Sequence, residues 1–298
     1  MRLYAVQVNN FFCLVEKLCW LAGVKNTKHF HSKKMYGNIK LSFLAVYREK
    51  LNVSYRRFVE ICEENNIAHM LGLKRIPHFS TLQKFVQRTP KQLFEVMVRA
   101  CSKLLRVRNC VAAIDGTGFS NTNPSHYYEK RVDGVTHPNY TKTVFISDIK
   151  TKLVLNVRTC SDHSNEITAF RPMVTELVGS LRTVLADKGY DSLENREFCW
   201  LNGLSVHIPF RKHASKLDKY GKQHYSAKRR RAMQKFNLKT YQKRAIAESV
   251  NSAIKQTLGG FVRAKNAVNQ QKQATIKAIA YNIEHIGRTI KITLTLAL

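Results

Sequence analysis

Through the first hundred residues apolar side chains return every three or four positions, and helices are the elements that this spacing predicts. "FFCLVEKLCWLAG" (11–23) is an apolar run interrupted by Glu16 and Lys17, which reads as an amphipathic core helix. "SYRRFVEICEENN" (54–66) sets Phe58, Ile61 and Cys62 on one face. "STLQKFVQR" (80–88) opens on a Ser80-x-x-Gln83 capping box. Thr89-Pro90-Lys91-Gln92 follows with an N-cap, a proline at the first helical position and a second box, predicting a helix to about Leu105. From residue 110 the period shortens. "CVAAID", "KTVFISDI", "KLVLNVRTC", "LRTVLAD" and "LSVHIPF" are short apolar runs rich in β-branched residues, the second and third flanking a tight link like a hairpin. Helical spacing lies at about 165–179 and again at 192–202. Strands followed by alternating helix and strand predict an α/β fold with a mixed sheet of about five strands. The change of texture divides the chain into a helical region over 1–107 and a sheet-bearing region over 108–298.

Charge changes the picture more than composition does. With 44% apolar and 10% aromatic residues the chain has enough to bury a core. Fifty Lys and Arg face only twenty Asp and Glu, a net +30, and such self-repulsion is best tolerated by a protein whose partner is a polyanion. Nucleic acid is the expected partner. A membrane is not, because the longest early apolar run falls short of the roughly twenty residues that a bilayer span requires. It also lacks the cleavage site of a signal peptide, so the expected location is the cytoplasm, with the nucleoid. Seven scattered cysteines without a Cys-x-x-Cys pair argue against a disulfide framework or a structural zinc site. The stretch 211–239 holds eleven Lys and Arg, Arg229, Arg230 and Arg231 among them, to one acid, and reads as a short basic insertion that grips phosphate. Helix pairs in the first hundred residues resemble a helix-turn-helix, a pattern shared with most small helical bundles.

Against this background the acids stand out. Asp115 follows "VAAI" and precedes Gly116-Thr117-Gly118; Asp187 follows "TVLA" and precedes Lys188-Gly189-Tyr190. Each is placed at or near a strand end, where an acid beside glycine is also a common turn-former. Glu248 is the one acidic residue between Asp218 and Glu284, a stretch carrying fifteen Lys and Arg. On a helical wheel Tyr241, Arg244, Glu248, Ser252 and Lys255 share one side, opposite Ile246, Val250, Ala253 and Ile254. The plain reading is an exposed helix with an Arg244 to Glu248 pair one turn apart. The sharper one is that three carboxylates converge to hold two divalent ions about 3.5–4 Å apart for in-line phosphoryl displacement. Magnesium suits such oxygen ligands and keeps waters or phosphates in its shell.

The spacing Tyr241-x-x-Arg244-x-x-x-Glu248-x-x-x-x-x-x-Lys255 resembles the Tyr-(2)-Arg-(3)-Glu-(6)-Lys signature of prokaryotic insertion-sequence transposases of the Asp-Asp-Glu type. "AIDGTG" (113–118) is similar to their first-aspartate motif and "LADKGYDS" (185–192) to their second. The resemblance implies a ribonuclease H-like, retroviral integrase-like catalytic domain with the triad Asp115, Asp187 and Glu248. It implies Mg2+, with Mn2+ able to substitute and two ions per site. Tyr241, Arg244 and Lys255 would contact the transposon end, and Lys188 and the three arginines at 229–231 would add phosphate contacts. The implied activity is cutting at terminal inverted repeats and joining of the freed 3′ ends to target DNA, by a homodimer in a synaptic complex. The helices before residue 108 would bind the transposon end. Some members carry a large strand-rich subdomain between the second aspartate and the glutamate; here about sixty residues separate them. Asp162 and His163, in "CSDHSNE", read as an N-cap first and an auxiliary metal contact second. A nuclease or resolvase on the same fold, and a relative that only binds DNA, remain alternatives.

Overall fold

The five apolar runs between residues 110 and 208 become five strands of one sheet in the computed structural model, which describes residues 2–26, 35–121, 140–160, 166–211 and 226–296. Asp162 and His163 lie outside the described residues, as does 212–225 of the basic stretch. The strands are β1 (Cys110–Ser120), β2 (Tyr140–Asp148), β3 (Val154–Cys160), β4 (Leu181–Ala186) and β5 (Ser205–His207), in the order β3-β2-β1-β4-β5. β1 is antiparallel to β2 and β2 to β3, while β1 runs parallel to β4 and β4 to β5. The sheet is therefore mixed. Its hairpin is closed by Asp148, whose carboxylate accepts from the Thr151 N–H at 2.8 Å and the Thr151 hydroxyl at 2.6 Å. Lys152, which follows, takes a left-handed φ of 57°.

Among the described residues six helices precede the sheet: α1 (Arg2–Leu21), α2 (Asn38–Leu51), α3 (Tyr55–Glu64), α4 (Ile67–Met70), α5 (Phe79–Arg88) and α6 (Lys91–Leu104). α1 buries Val8, Phe11, Val15, Leu18 and Cys19, the stripe expected from its spacing. Phe11 and Phe43 meet Tyr47, the latter two rings stacked at 5.3 Å. The caps differ from those that the sequence predicts. Ser80 lies inside α5, whose N-cap is His78, and Pro90 is itself the N-cap residue of α6. Among the described cysteines, Cys19, Cys62, Cys101, Cys110 and Cys199 are buried free thiols, Cys13 is exposed and Cys160 lies between.

Beyond β3 come α7 (Ile167–Thr175), α8 (Leu193–Leu201), α9 (Ala227–Gln234), α10 (Leu238–Gln242), α11 (Ala245–Leu258) and α12 (Ala267–Leu296). α11 lies across β1 and β2, with Ala247 packed on Ala113 and Leu185. α12 packs on β2 and β3 and on α1, α2 and α6. Its Asn282 side chain brackets the edge strand, accepting from the Val154 N–H at 2.9 Å and donating to the Val154 carbonyl at 2.7 Å. One apolar cluster runs from α1 through the sheet to α12, so the helical and sheet-bearing regions share a core. No described helix is long and apolar enough to cross a membrane.

Candidate active site

The sequence places Asp115 at or near a strand end; it lies at the middle of β1, five residues from either end. The parallel pairing of β1 with β4 stops at Ile114 opposite Ala186, whereas its antiparallel pairing with β2 continues to Ser120. Asp115 is thus the first residue of the central strand with β4 no longer beside it. Asp187 directly follows the last residue of β4 and caps a single 3-10 turn, Lys188–Tyr190, its Oδ1 accepting from the Gly189 N–H at 2.7 Å. The turn-former and the site residue are here the same aspartate. Glu248 comes from the first turn of α11, with its side chain 57% exposed.

The helix expected over 241–255 is broken. α10 ends at Gln242, and Lys243 and Arg244 form a tighter turn before α11 begins, with the Arg244 N–H donating to the Tyr241 carbonyl at 2.8 Å. The break turns the Arg244 side chain toward β1. Its guanidinium lies between two acids, one nitrogen 3.1 Å from Asp115 Oδ1 and the other donating to Glu248 Oε1. On its second oxygen, Asp115 accepts from Asn251 Nδ2 at 2.8 Å. Burial pushes the Asp115 carboxyl up to about 6; Arg244 opposes the rise, while the negative charges of Glu248 and Asp187 add to it. Both other acids therefore act on Asp115, but among the described residues the three do not stand grouped as a ready metal site. A guanidinium occupies the space between two of them.

The remaining candidate residues distribute themselves unequally. Tyr241 packs its ring against Phe236 at 5.6 Å, with the Arg244 guanidinium 6.0 Å from its centre. Lys255 lies two turns beyond Glu248, its stem against Gly260, and burial lowers its amine from the ordinary range. Lys188, Arg230 and Arg231 are exposed. Arg229 is 8% exposed and faces inward: it donates to Asp191 Oδ2 at 3.0 Å and to the Arg211 carbonyl at 3.0 Å. The expectation that all three arginines face phosphate does not fit this placement, because the buried Asp191 carboxylate draws Arg229 into the fold. Trp200 is half-buried on α8 beneath the Lys235 ammonium, 4.8 Å from its ring centre.

A sequence model described as "Transposase DDE domain" matches residues 107–283, more than half of the chain. The chain belongs to the DDE transposase family. Its mixed five-stranded sheet with flanking helices is the ribonuclease H-like fold. No protein of curated function matches the chain. Two solved transposase assemblies are similar to it. One is a piggyBac transposase synaptic complex with hairpin DNA, at 10% identity and TM-score 0.45, covering 96% of this chain and 75% of that one. The other is a pre-cleavage Mos1 transpososome, at 12% identity and TM-score 0.22, covering 89% and 82%.

Three residues around these acids were not marked by the sequence. Asn251 holds Asp115. Glu166 accepts from the Tyr190 hydroxyl at 3.1 Å and pairs with Lys142 at 3.1 Å. Its carboxylate lies so close to Gly116 that a Cβ there would come within 2.5 Å of it, which explains glycine beside Asp115 better than a turn does. Tyr190, whose hydroxyl is driven well above its ordinary pKa first by burial and then by Glu166, ties that carboxylate to the turn begun by Asp187. Only Asn251 carried a signal in sequence, as an amide beside the apolar stripe of Val250 and Ile254.

Proposed function

We propose that this chain is a transposase of the prokaryotic insertion-sequence type that cuts DNA at terminal inverted repeats and joins the 3′ ends to target DNA by two-metal-ion phosphoryl transfer. Asp115, Asp187 and Glu248 would hold Mg2+, or Mn2+ in its place. The observation that carries this reading is the sharing of one guanidinium between Asp115 and Glu248, beside a third acid, in a protein of net charge +30. Carboxylates this close repel unless a cation lies among them, and the set is made only of hard oxygen donors, which fits magnesium. When bound, a pair of such ions would stabilise the attacking and leaving oxygens of an in-line displacement.

The chain's own residues supply the rest. Arg244 is placed to exchange a carboxylate for a DNA phosphate, a bidentate partner of the same geometry. Tyr241, Lys255, Lys188, Arg230 and Arg231 add backbone contacts that hold the strand at the acids, and a homodimer would bring two transposon ends together. The helices before residue 108 would read the inverted repeat.

Glu248→Gln tests the reading. It should abolish Mg2+-dependent cleavage of an inverted-repeat duplex while gel-shift affinity stays near normal or tightens, since one negative charge facing phosphate is gone. Retained cutting would refute it. A nuclease or resolvase on the same fold would cut the duplex yet yield no joined product when target plasmid is supplied.

A further inference from the structure

Asn251 is unusual for its surroundings. It is 7% exposed in the interior of α11, where asparagine is a poorer helix former than alanine. Its Oδ1 is buried and has no hydrogen-bond partner among the described residues, a state that is costly to the fold. A leucine would avoid both costs. What the amide does instead is donate to Asp115 Oδ2 at 2.8 Å, while Arg244 occupies Asp115 Oδ1 at 3.1 Å. The orphan oxygen shares a carbon with that donating nitrogen, so it sits beside the carboxylate and cannot accept from it.

We propose that Asn251 is a positioning residue of the acidic centre and a recogniser of its cation. Its Nδ2 fixes the rotamer of Asp115, and its Oδ1 is the acceptor kept for a water in the hydration shell of the divalent ion. The idea rests on the metal-binding reading of the three acids. Asn251 lies three positions beyond Glu248, so the two leave α11 about 60° apart and border the same space. Arg244 is the group drawn off when phosphate arrives, and Asn251 is then the remaining side chain bonded to Asp115 among the described residues. Partners of this kind, which orient a ligand without touching the metal, change affinity by roughly 10–100-fold when removed.

The test is Mn2+ binding to the full chain without DNA, read by the loss of the free-ion signal in electron paramagnetic resonance. Asn251→Leu should weaken binding roughly 10–100-fold while the melting temperature holds or rises, because the unpaired oxygen is removed. Asn251→Ala, which cannot overpack, should weaken binding equally. Parent-like Mn2+ affinity in both variants, with Glu248→Gln and Asp187→Asn clearly weakened, would overturn the role of Asn251 alone. Parent-like affinity in all four would overturn the metal reading as well. If both Asn251 variants fail to fold, the side chain serves the fold and the proposal is wrong.

Discussion

Asp191→Asn should destabilise this protein more than loss of Asp115, Asp187 or Glu248. Asp191 lies four residues beyond Asp187 with a fully buried side chain. Its Oδ1 accepts from Arg196 Nη2 at 2.9 Å and Nε at 3.3 Å, and its Oδ2 from Arg229 Nη2 at 3.0 Å and the Arg211 N–H at 2.7 Å. Both guanidinium groups also lie over the Phe210 ring, at 4.0 and 5.3 Å from its centre. The amide keeps the shape and removes the charge. Two buried cations are then left without their common counter-ion, and two of the four donors must face an NH2 group, because each oxygen accepts from two. Removing one partner from a buried ion pair costs about 3–5 kcal/mol. In a chain of this size each kcal/mol lowers the melting point by about 2 °C, so a fall of roughly 6–10 °C is expected. Scanning calorimetry at neutral pH measures it. An unchanged melting temperature would show that the Arg196 and Arg229 side chains meet Asp191 by accident of placement, and would free Arg229 to engage phosphate after all.

Two further outcomes follow from the charges around the sheet. Arg230→Glu with Arg231→Glu should leave the melting temperature unchanged and flatten the salt dependence of duplex binding, by about 0.9 in log-log slope for each phosphate no longer neutralised; an unaltered slope would place both residues off the DNA. In the metal-free protein the Asp115 carboxyl is raised from 3.8 to about 6 by burial, so its contribution to stability is complete below 3.8 and lost as pH rises through 6. Asp115→Asn should therefore gain on the parent across that window, by up to about 3 kcal/mol. Denaturant unfolding at both ends of the window checks this, and a difference that does not change with pH would contradict it.

The sheet was legible in the sequence because each strand is a short β-branched run bounded by polar residues, and the pattern of hairpin then alternating helix and strand dictates mixed pairing. The helices of the first hundred residues were legible from their stripes, though not their caps, which depend on the approach of neighbouring side chains. The position of Asp115 within β1 was hidden, since where a strand runs out of one partner is a property of the partner's length. The turn at Lys243 and Arg244 was hidden too, because nothing in "YQKRAIAES" forbids a continuous helix. Arg229 could have been separated from Arg230 and Arg231, for it precedes buried Ala232 by three positions and shares its face of α9. Run composition outweighed wheel position in that reading. Glu166 could not be found at all, being brought to Gly116 only by the packing of α7 on β3.

The closing helix does more than cover the sheet. Lys277 on α12 is entirely buried, donates to the Leu258 carbonyl at the end of α11 and lies 3.5 Å from Glu49 of α2. Gln273, one turn earlier, reaches the same Glu49 at 3.1 Å and accepts from the Arg263 N–H at 2.8 Å. One glutamate near the beginning of the chain is thereby fastened to the last turn of the helix that bears Glu248. Swapping the front third for a foreign sequence would strip that fastening and loosen the acid-bearing helix at its far end. Changes made to those first helices have to stay on their outer surface, with Glu49 and its neighbours left untouched, if the acid-bearing helix is to keep its hold.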